Sequence, residues 1–86
     1  MERLIRTTVE FSGPFEIEGL DGLQPAGTYD VETIEEMLEV LSTVAYRRVS
    51  TTIARHGART RQLTTINPAC LEAALKRDAE AHHGRV

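Results

Sequence analysis

The sequence is poor in cysteine, which could crosslink a small domain, and in aromatic residues, which could fill its core. Cys70 is the only cysteine among the 86 residues, so an internal disulfide is excluded. Tryptophan is absent, and the aromatic residues are two phenylalanines and two tyrosines. The core must therefore come mainly from Ile, Leu, Val and Ala, in a chain that buries only about 60 to 65 % of its unfolded surface. Because such a core is thin for a monomer, we expect a homodimer.

Long apolar runs are also missing. None approaches the roughly 18 residues that a membrane-spanning helix needs. The alternating pattern after Met1 contains no apolar segment of signal-peptide type. Together with the single free cysteine, this pattern indicates one domain in the reducing cytoplasm, without membrane contact.

Signatures of catalysis and of cofactor or metal binding are equally scarce. The three histidines and Cys70 are too dispersed for a zinc site. The glutamates between residues 32 and 39 lack the central glycine of an EF-hand loop. No glycine-rich phosphate loop and no Ser-His-Asp order occurs. We therefore expect no catalytic residues, no metal and no cofactor, and we predict that the protein is not an enzyme.

Charge, by contrast, is present and sorted along the chain. Residues 1–40 hold ten of the 13 Asp and Glu but only two of the ten Lys and Arg. If the acidic and basic parts form neighbouring strands, Arg47 or Arg48 should pair with a carboxylate from the first forty residues. The net charge of −3 and the lack of a dense basic stripe argue against nucleic acid as a partner.

Alternation of apolar and polar residues predicts strands over residues 4–11, 15–18 and 28–33. The first two should form a hairpin, because the turn sequence Ser12-Gly13-Pro14 lies between them. A later strand is predicted over residues 59–66, after the turn His56-Gly57-Ala58.

Residues 34–45 allow two interpretations. Apolar residues recur there at helical spacing, and Thr33 with Glu36 has the form of a capping box. The many β-branched residues from Val40 to Ile53 favour a strand instead. We favour one helical turn or a bulge over residues 35–41, followed by a long strand over residues 43–54.

The C-terminal segment has the clearest pattern. Asn67 is a good N-cap, and Pro68 suits the first helical position, where its missing N–H costs nothing. A helix is predicted from Pro68 to His82, with an apolar stripe that includes Leu71 and Leu75.

Four segments of the chain carry a further signal: Pro25-Ala26-Gly27-Thr28-Tyr29-Asp30-Val31-Glu32-Thr33, Glu35-Glu36, Ala45-Tyr46-Arg47-Arg48 and Thr51-Thr52-Ile53. In these segments the chain resembles a group of small bacterial proteins without assigned function. The similarity extends over most of the chain. It implies a strand-rich fold with a terminal helix, and it supplies no catalytic residues.

These patterns predict one α+β domain over residues 1–86. We expect a small, mainly antiparallel sheet or partly open barrel of about five strands, with one C-terminal helix.

The predicted function is a self-associating or partner-binding module, because the core is thin and no reactive constellation is present. The alternative is a domain that binds a small ligand, phosphate or nucleotide through Tyr46 and either Arg47 or Arg48. In a strand, the two arginines point to opposite faces and cannot clamp one phosphate together. An enzyme whose site is assembled across a dimer is a third possibility.

Overall fold

The computed structural model describes residues 1–59 and 62–83, which form an open four-stranded sheet and one helix. The strands are β1 (Glu2–Phe11), β2 (Gly27–Val40), β3 (Thr43–Arg55) and β4 (Thr64–Thr65), and helix α1 spans Pro68–His83. All neighbouring strands are antiparallel, in the order β1-β2-β3-β4. The predicted α+β class with a C-terminal helix is confirmed, and the sheet is open.

The register of the strands defines two faces of the sheet. Tyr29 lies opposite Val9 on one side and Arg55 on the other, and side chains at opposite positions share a face. We call the face that carries Phe11, Tyr29 and Ile53 the helix face, because these residues form one buried cluster with Leu71 of α1. The other face, which carries Arg6 and Glu32, is the outer face.

The core lies at one end of the sheet and is centred on three aromatic rings. Phe11 and Phe15 stack with their centroids 3.6 Å apart, and Tyr29 meets both rings edge-on. The Tyr29 hydroxyl donates a hydrogen bond of 2.7 Å to the carbonyl of Pro25. Burial raises the pKa of Tyr29, and the positive charge of Arg55 offsets part of that rise.

The segment after β1 corrects one prediction. Residues 15–18 are not a strand paired with β1; Phe15 instead forms an isolated bridge with Gln24. The backbone N–H groups of Ser12 and Gly13 donate to the Asp78 carboxylate, at 2.8 and 3.0 Å. Because α1 binds this turn, the chain leaves the sheet here, and Phe15 stacks on Phe11 rather than extending a hairpin.

The ambiguous segment is a strand along its whole length. β2 continues to Val40 and pairs with β3 through a two-residue turn, so of the two features predicted over residues 35–41 the helical turn is wrong. The alternative, a bulge, agrees with the register shift between Ile34 and Glu35, which leaves Val49 of β3 without a partner on β2. The long strand predicted over residues 43–54 is confirmed as β3. Pairing with β3 along twelve positions outweighs the local helical period.

The strand predicted over residues 59–66 is much shorter than expected. Only Thr64–Thr65 form β4, opposite Thr52 and Ile53, while residues 60 and 61 lie outside the described part of the chain.

Helix α1 agrees with its sequence signals. It begins at Pro68, and the Asn67 side chain accepts a hydrogen bond of 2.9 Å from the Ala69 N–H, as an N-cap residue does. Leu71 and Ala74 are buried against the aromatic rings, whereas Leu75 is half-buried at the margin of the core.

We expect Leu71→Ala to destabilise the fold by about 2 to 4 kcal/mol, since it deletes a buried side chain. Leu75→Ala is the matched control, because both substitutions change helix propensity equally. It should cost clearly less, since Leu75 is only half-buried. Urea denaturation at one fixed protein concentration measures both values. Equal losses would contradict the asymmetric docking of α1.

Candidate functional site

The sheet extends well beyond the part that α1 covers. We call this extension the arm and define it as residues 2–6 of β1, 33–40 of β2 and 43–50 of β3. None of these residues is buried, although all belong to paired strands. The longest dimension of the described structure is 52 Å. The arm is therefore a three-stranded ribbon with both faces uncovered.

The arm carries apolar side chains on both faces. On the helix face these include Ile5 and Tyr46, which is 48 % exposed. On the outer face they include Leu4, also 48 % exposed, and Val40 at 55 %. Apolar groups concentrated in one exposed element are typical of an interaction surface.

Ion pairs cross the strands, mostly on the outer face. Their nitrogen–oxygen distances are 2.5 Å for Arg47–Glu36, 3.3 Å for Arg6–Glu32, 2.7 Å for His56–Asp30 and, on the helix face, 2.6 Å for Arg3–Glu35. The Arg47–Glu36 contact confirms the predicted pairing between the basic and acidic parts of the chain. The three arginines are about half exposed or more, so each of their pairs contributes at most about 1 kcal/mol. The His56–Asp30 contact is an ion pair only when the imidazole is protonated. These contacts select the register of the strands more than they raise the free energy of unfolding.

The structure separates the three residues predicted to bind a ligand. Arg47 lies on the outer face, where it is engaged by Glu36. Tyr46 and Arg48 lie together on the helix face, as their opposite partners Met37 and Glu35 show.

Arg3 is a further member of this group that the sequence did not single out. Its guanidinium lies 3.7 Å above the centre of the Tyr46 ring and also bonds to Glu35. Arg48 has no ion pair among the described residues. The pairing of β1 with β2 and of β2 with β3 together bring Arg3 near Tyr46, so no local signal could have shown the contact.

The turn at the tip of the arm has an unusual backbone. Leu41 and Ser42 have φ values of +49° and +67°, the left-handed pair that a two-residue hairpin turn requires. Asn and Gly normally fill such turns, and other residues pay roughly 1 to 2 kcal/mol each for this conformation. Leu41 is also 95 % exposed. A strained, apolar turn thus ends the arm.

Two other features could carry chemistry. The imidazole Nδ1 of His56 lies 2.7 Å from a carboxylate oxygen of Asp30, the orientation that a general base needs. Among the described residues, however, no hydroxyl or thiol side chain hydrogen-bonds His56.

A cleft of about 500 Å³ lies beside Tyr29 and Arg55, lined partly by Gln24 and Thr64. Sequence reasoning missed this cleft, because loop residues distant in the chain form its walls.

The described residues show no metal centre and no membrane-spanning helix. Within residues 1–59 and 62–83, no group of three or more His, Cys, Asp or Glu is placed to hold a metal ion. In the same part of the chain, no helix has the length and apolar character needed to cross a membrane. Comparisons of the chain with protein-family models, curated proteins and solved structures find no match. The arm is therefore the best supported candidate for a functional surface.

We expect the double substitution Leu41→Asn and Ser42→Gly to stabilise the arm by roughly 1 to 2 kcal/mol, because these residues adopt the left-handed turn with less strain. Amide hydrogen exchange of residues 33–50 should slow accordingly. Leu23→Asn is the control, since it removes an exposed leucine from a different loop. Unchanged exchange in the arm would show that the turn is not strained.

Proposed function

We propose that the protein is a non-enzymatic module that associates with itself through the arm. One observation carries this proposal: a ribbon of three paired strands exposes apolar side chains on both faces, and none of its residues is buried. A small sheet gains independent stability from an apolar face or from packing against another element. Association with a second copy, at the edge or on a face of the arm, would bury part of this exposed apolar surface.

The dimensions of the elements support the same conclusion. A 16-residue helix such as α1 is about 24 Å long, whereas the 14-residue strand β2 extends over about 46 Å. The helix cannot cover the sheet along its length. The part of the sheet beyond α1 is therefore open to contact with another molecule.

A second copy is the simplest such molecule. The 86-residue chain has a thin core, and closed two-fold dimers are the commonest oligomers. The lone cysteine is consistent with a location in the reducing cytoplasm, which we include in the proposal.

We expect a homodimer at micromolar concentration in sedimentation equilibrium, with a thermal midpoint that rises with protein concentration. The double variant Leu4→Lys, Val44→Lys should weaken association at least about tenfold, because it places charge on the arm. The variant Leu23→Lys, Leu63→Lys adds the same charge at exposed leucines outside the arm and should associate normally. A wild-type monomer throughout that range would refute the proposal.

Anion binding at Tyr46 and Arg48 is a second candidate. The supporting observation is that Arg48 stands beside Tyr46 on the helix face and makes no ion pair among the described residues. Titration with inorganic phosphate and with a nucleoside monophosphate, followed by NMR shifts, tests it. Arg48→Ala should abolish the shifts, and Arg47→Ala should leave them unchanged, because Arg47 lies on the other face.

A further inference from the structure

The two long edges of the sheet differ in their capacity to pair with another chain. β1 pairs with β2 at ten successive positions without a register shift, and no described strand lies on its other side. It contains neither proline nor glycine. The edge of β3 is interrupted by the shift at Val49 and is capped by β4 at Thr52 and Ile53. Bulges of this kind protect an edge from further pairing, whereas β1 has no such protection.

The orientation of the β1 backbone follows from one contact. The Met1 carbonyl accepts a hydrogen bond of 2.7 Å from the Met37 N–H, so residue 1 points its polar groups toward β2. Along a regular antiparallel strand this orientation alternates. The N–H and C=O groups of the even residues from Glu2 to Glu10 therefore point away from β2, available to another strand.

The charges on the outer face of β1 discriminate between pairing registers. Glu2, Arg6 and Glu10 alternate in sign at intervals of four residues. When two copies of β1 pair antiparallel about an axis at Arg6, like charges meet. An axis at Leu4 instead places each Glu2 opposite an Arg6, and an axis at Thr8 does the same for Glu10.

Steric considerations separate the two favourable registers. An axis at Thr8 would carry the start of one β1 past the Ser12–Gly13 turn of the other chain, where Asp78 of α1 is bound. An axis at Leu4 pairs only residues 1–7 and leaves both helices at the far ends of the joined sheet. It also brings the half-exposed Leu4 side chains together.

The register with its axis at Leu4 gives Glu2 an oppositely charged neighbour, which Glu2 lacks within its own chain. Within its own chain it lies opposite Glu36, a like charge, and it has no ion pair among the described residues. The Arg6 side chain is 71 % exposed and contacts Glu32 through Nε at 3.3 Å, so its solvent-exposed guanidinium can reach a second carboxylate.

We infer that β1 pairs with β1 of a second copy, antiparallel and about a two-fold axis at Leu4, an inference that rests on the self-association proposed above. About six backbone hydrogen bonds and two Glu2–Arg6 pairs join the chains. The two four-stranded sheets become one continuous sheet of eight strands.

Disulfide trapping tests the register. In a Cys70→Ser background, Leu4→Cys places two thiols across the axis, where the Cα atoms are about 5.5 Å apart, a distance that suits a disulfide. Mild oxidation should convert most of this variant to a covalent dimer. Thr8→Cys and Val44→Cys, which probe the rival register and the β3 edge, should remain uncrosslinked.

Charge exchange provides a second, non-covalent test. Glu2→Arg and Arg6→Glu each put like charges opposite one another in the homodimer, so each dissociation constant should rise about tenfold or more. A mixture of the two variants restores both opposite-charge pairs and should form heterodimers with near wild-type affinity. Sedimentation of the mixture against each variant alone measures this recovery.

The outcomes separate this inference from the proposed function. A dimer that crosslinks at Thr8 or Val44 instead of Leu4, or variants that do not complement each other, would overturn the β1 register while self-association stands. A monomeric wild-type protein would overturn both.

Discussion

The structure depends on an aromatic cluster at one end of the sheet. Phe11, Phe15 and Tyr29 form the centre of the buried core, and α1 packs against them through Leu71. The Asp78 carboxylate fixes the turn that brings Phe15 onto Phe11. With so few aromatic residues, the chain can build one such centre. Everything farther along the sheet is held by strand pairing and exposed ion pairs.

Because the core lies at one end of the sheet, the arm at the other end contains no buried residue. Strand hydrogen bonds and cross-strand ion pairs hold the ribbon together without a fully buried apolar side chain, and burial of apolar area is the larger source of folding free energy. The opening free energy of the arm should therefore be lower than that of the body around Ile53. An arm of low stability gains the most free energy from contact with a partner. The shortage of core residues therefore favours association.

The sequence predicted the elements whose signals are local. The Asn67 cap, Pro68 and the Leu71 stripe all concern neighbours in the chain, and α1 follows them closely. The hairpin between β2 and β3 was missed because its turn, Leu41-Ser42, has neither Asn nor Gly to signal it. The contact of Arg3 with Tyr46 depends on the register of three strands, which no local pattern determines. The charge sorting was the one long-range signal. It predicted that Arg47 or Arg48 pairs with a carboxylate from the first forty residues, and the Arg47–Glu36 contact confirms this.

Edge pairing raises the question of why such a chain would form dimers and not filaments. Pairing about the proposed two-fold axis at Leu4 engages residues 1–7 of β1 in both copies, so neither β1 can accept a further copy over these residues. The other long edge belongs to β3, where the bulge at Val49 and the short strand β4 oppose further strand addition. The alternating signs of Glu2, Arg6 and Glu10 also penalise a register in which each partner moves by four residues, because the axis then lies at Arg6 and like charges meet. The regular edge of β1, the irregular edge of β3 and the charges of alternating sign at every fourth residue of β1 together favour a closed pair of chains.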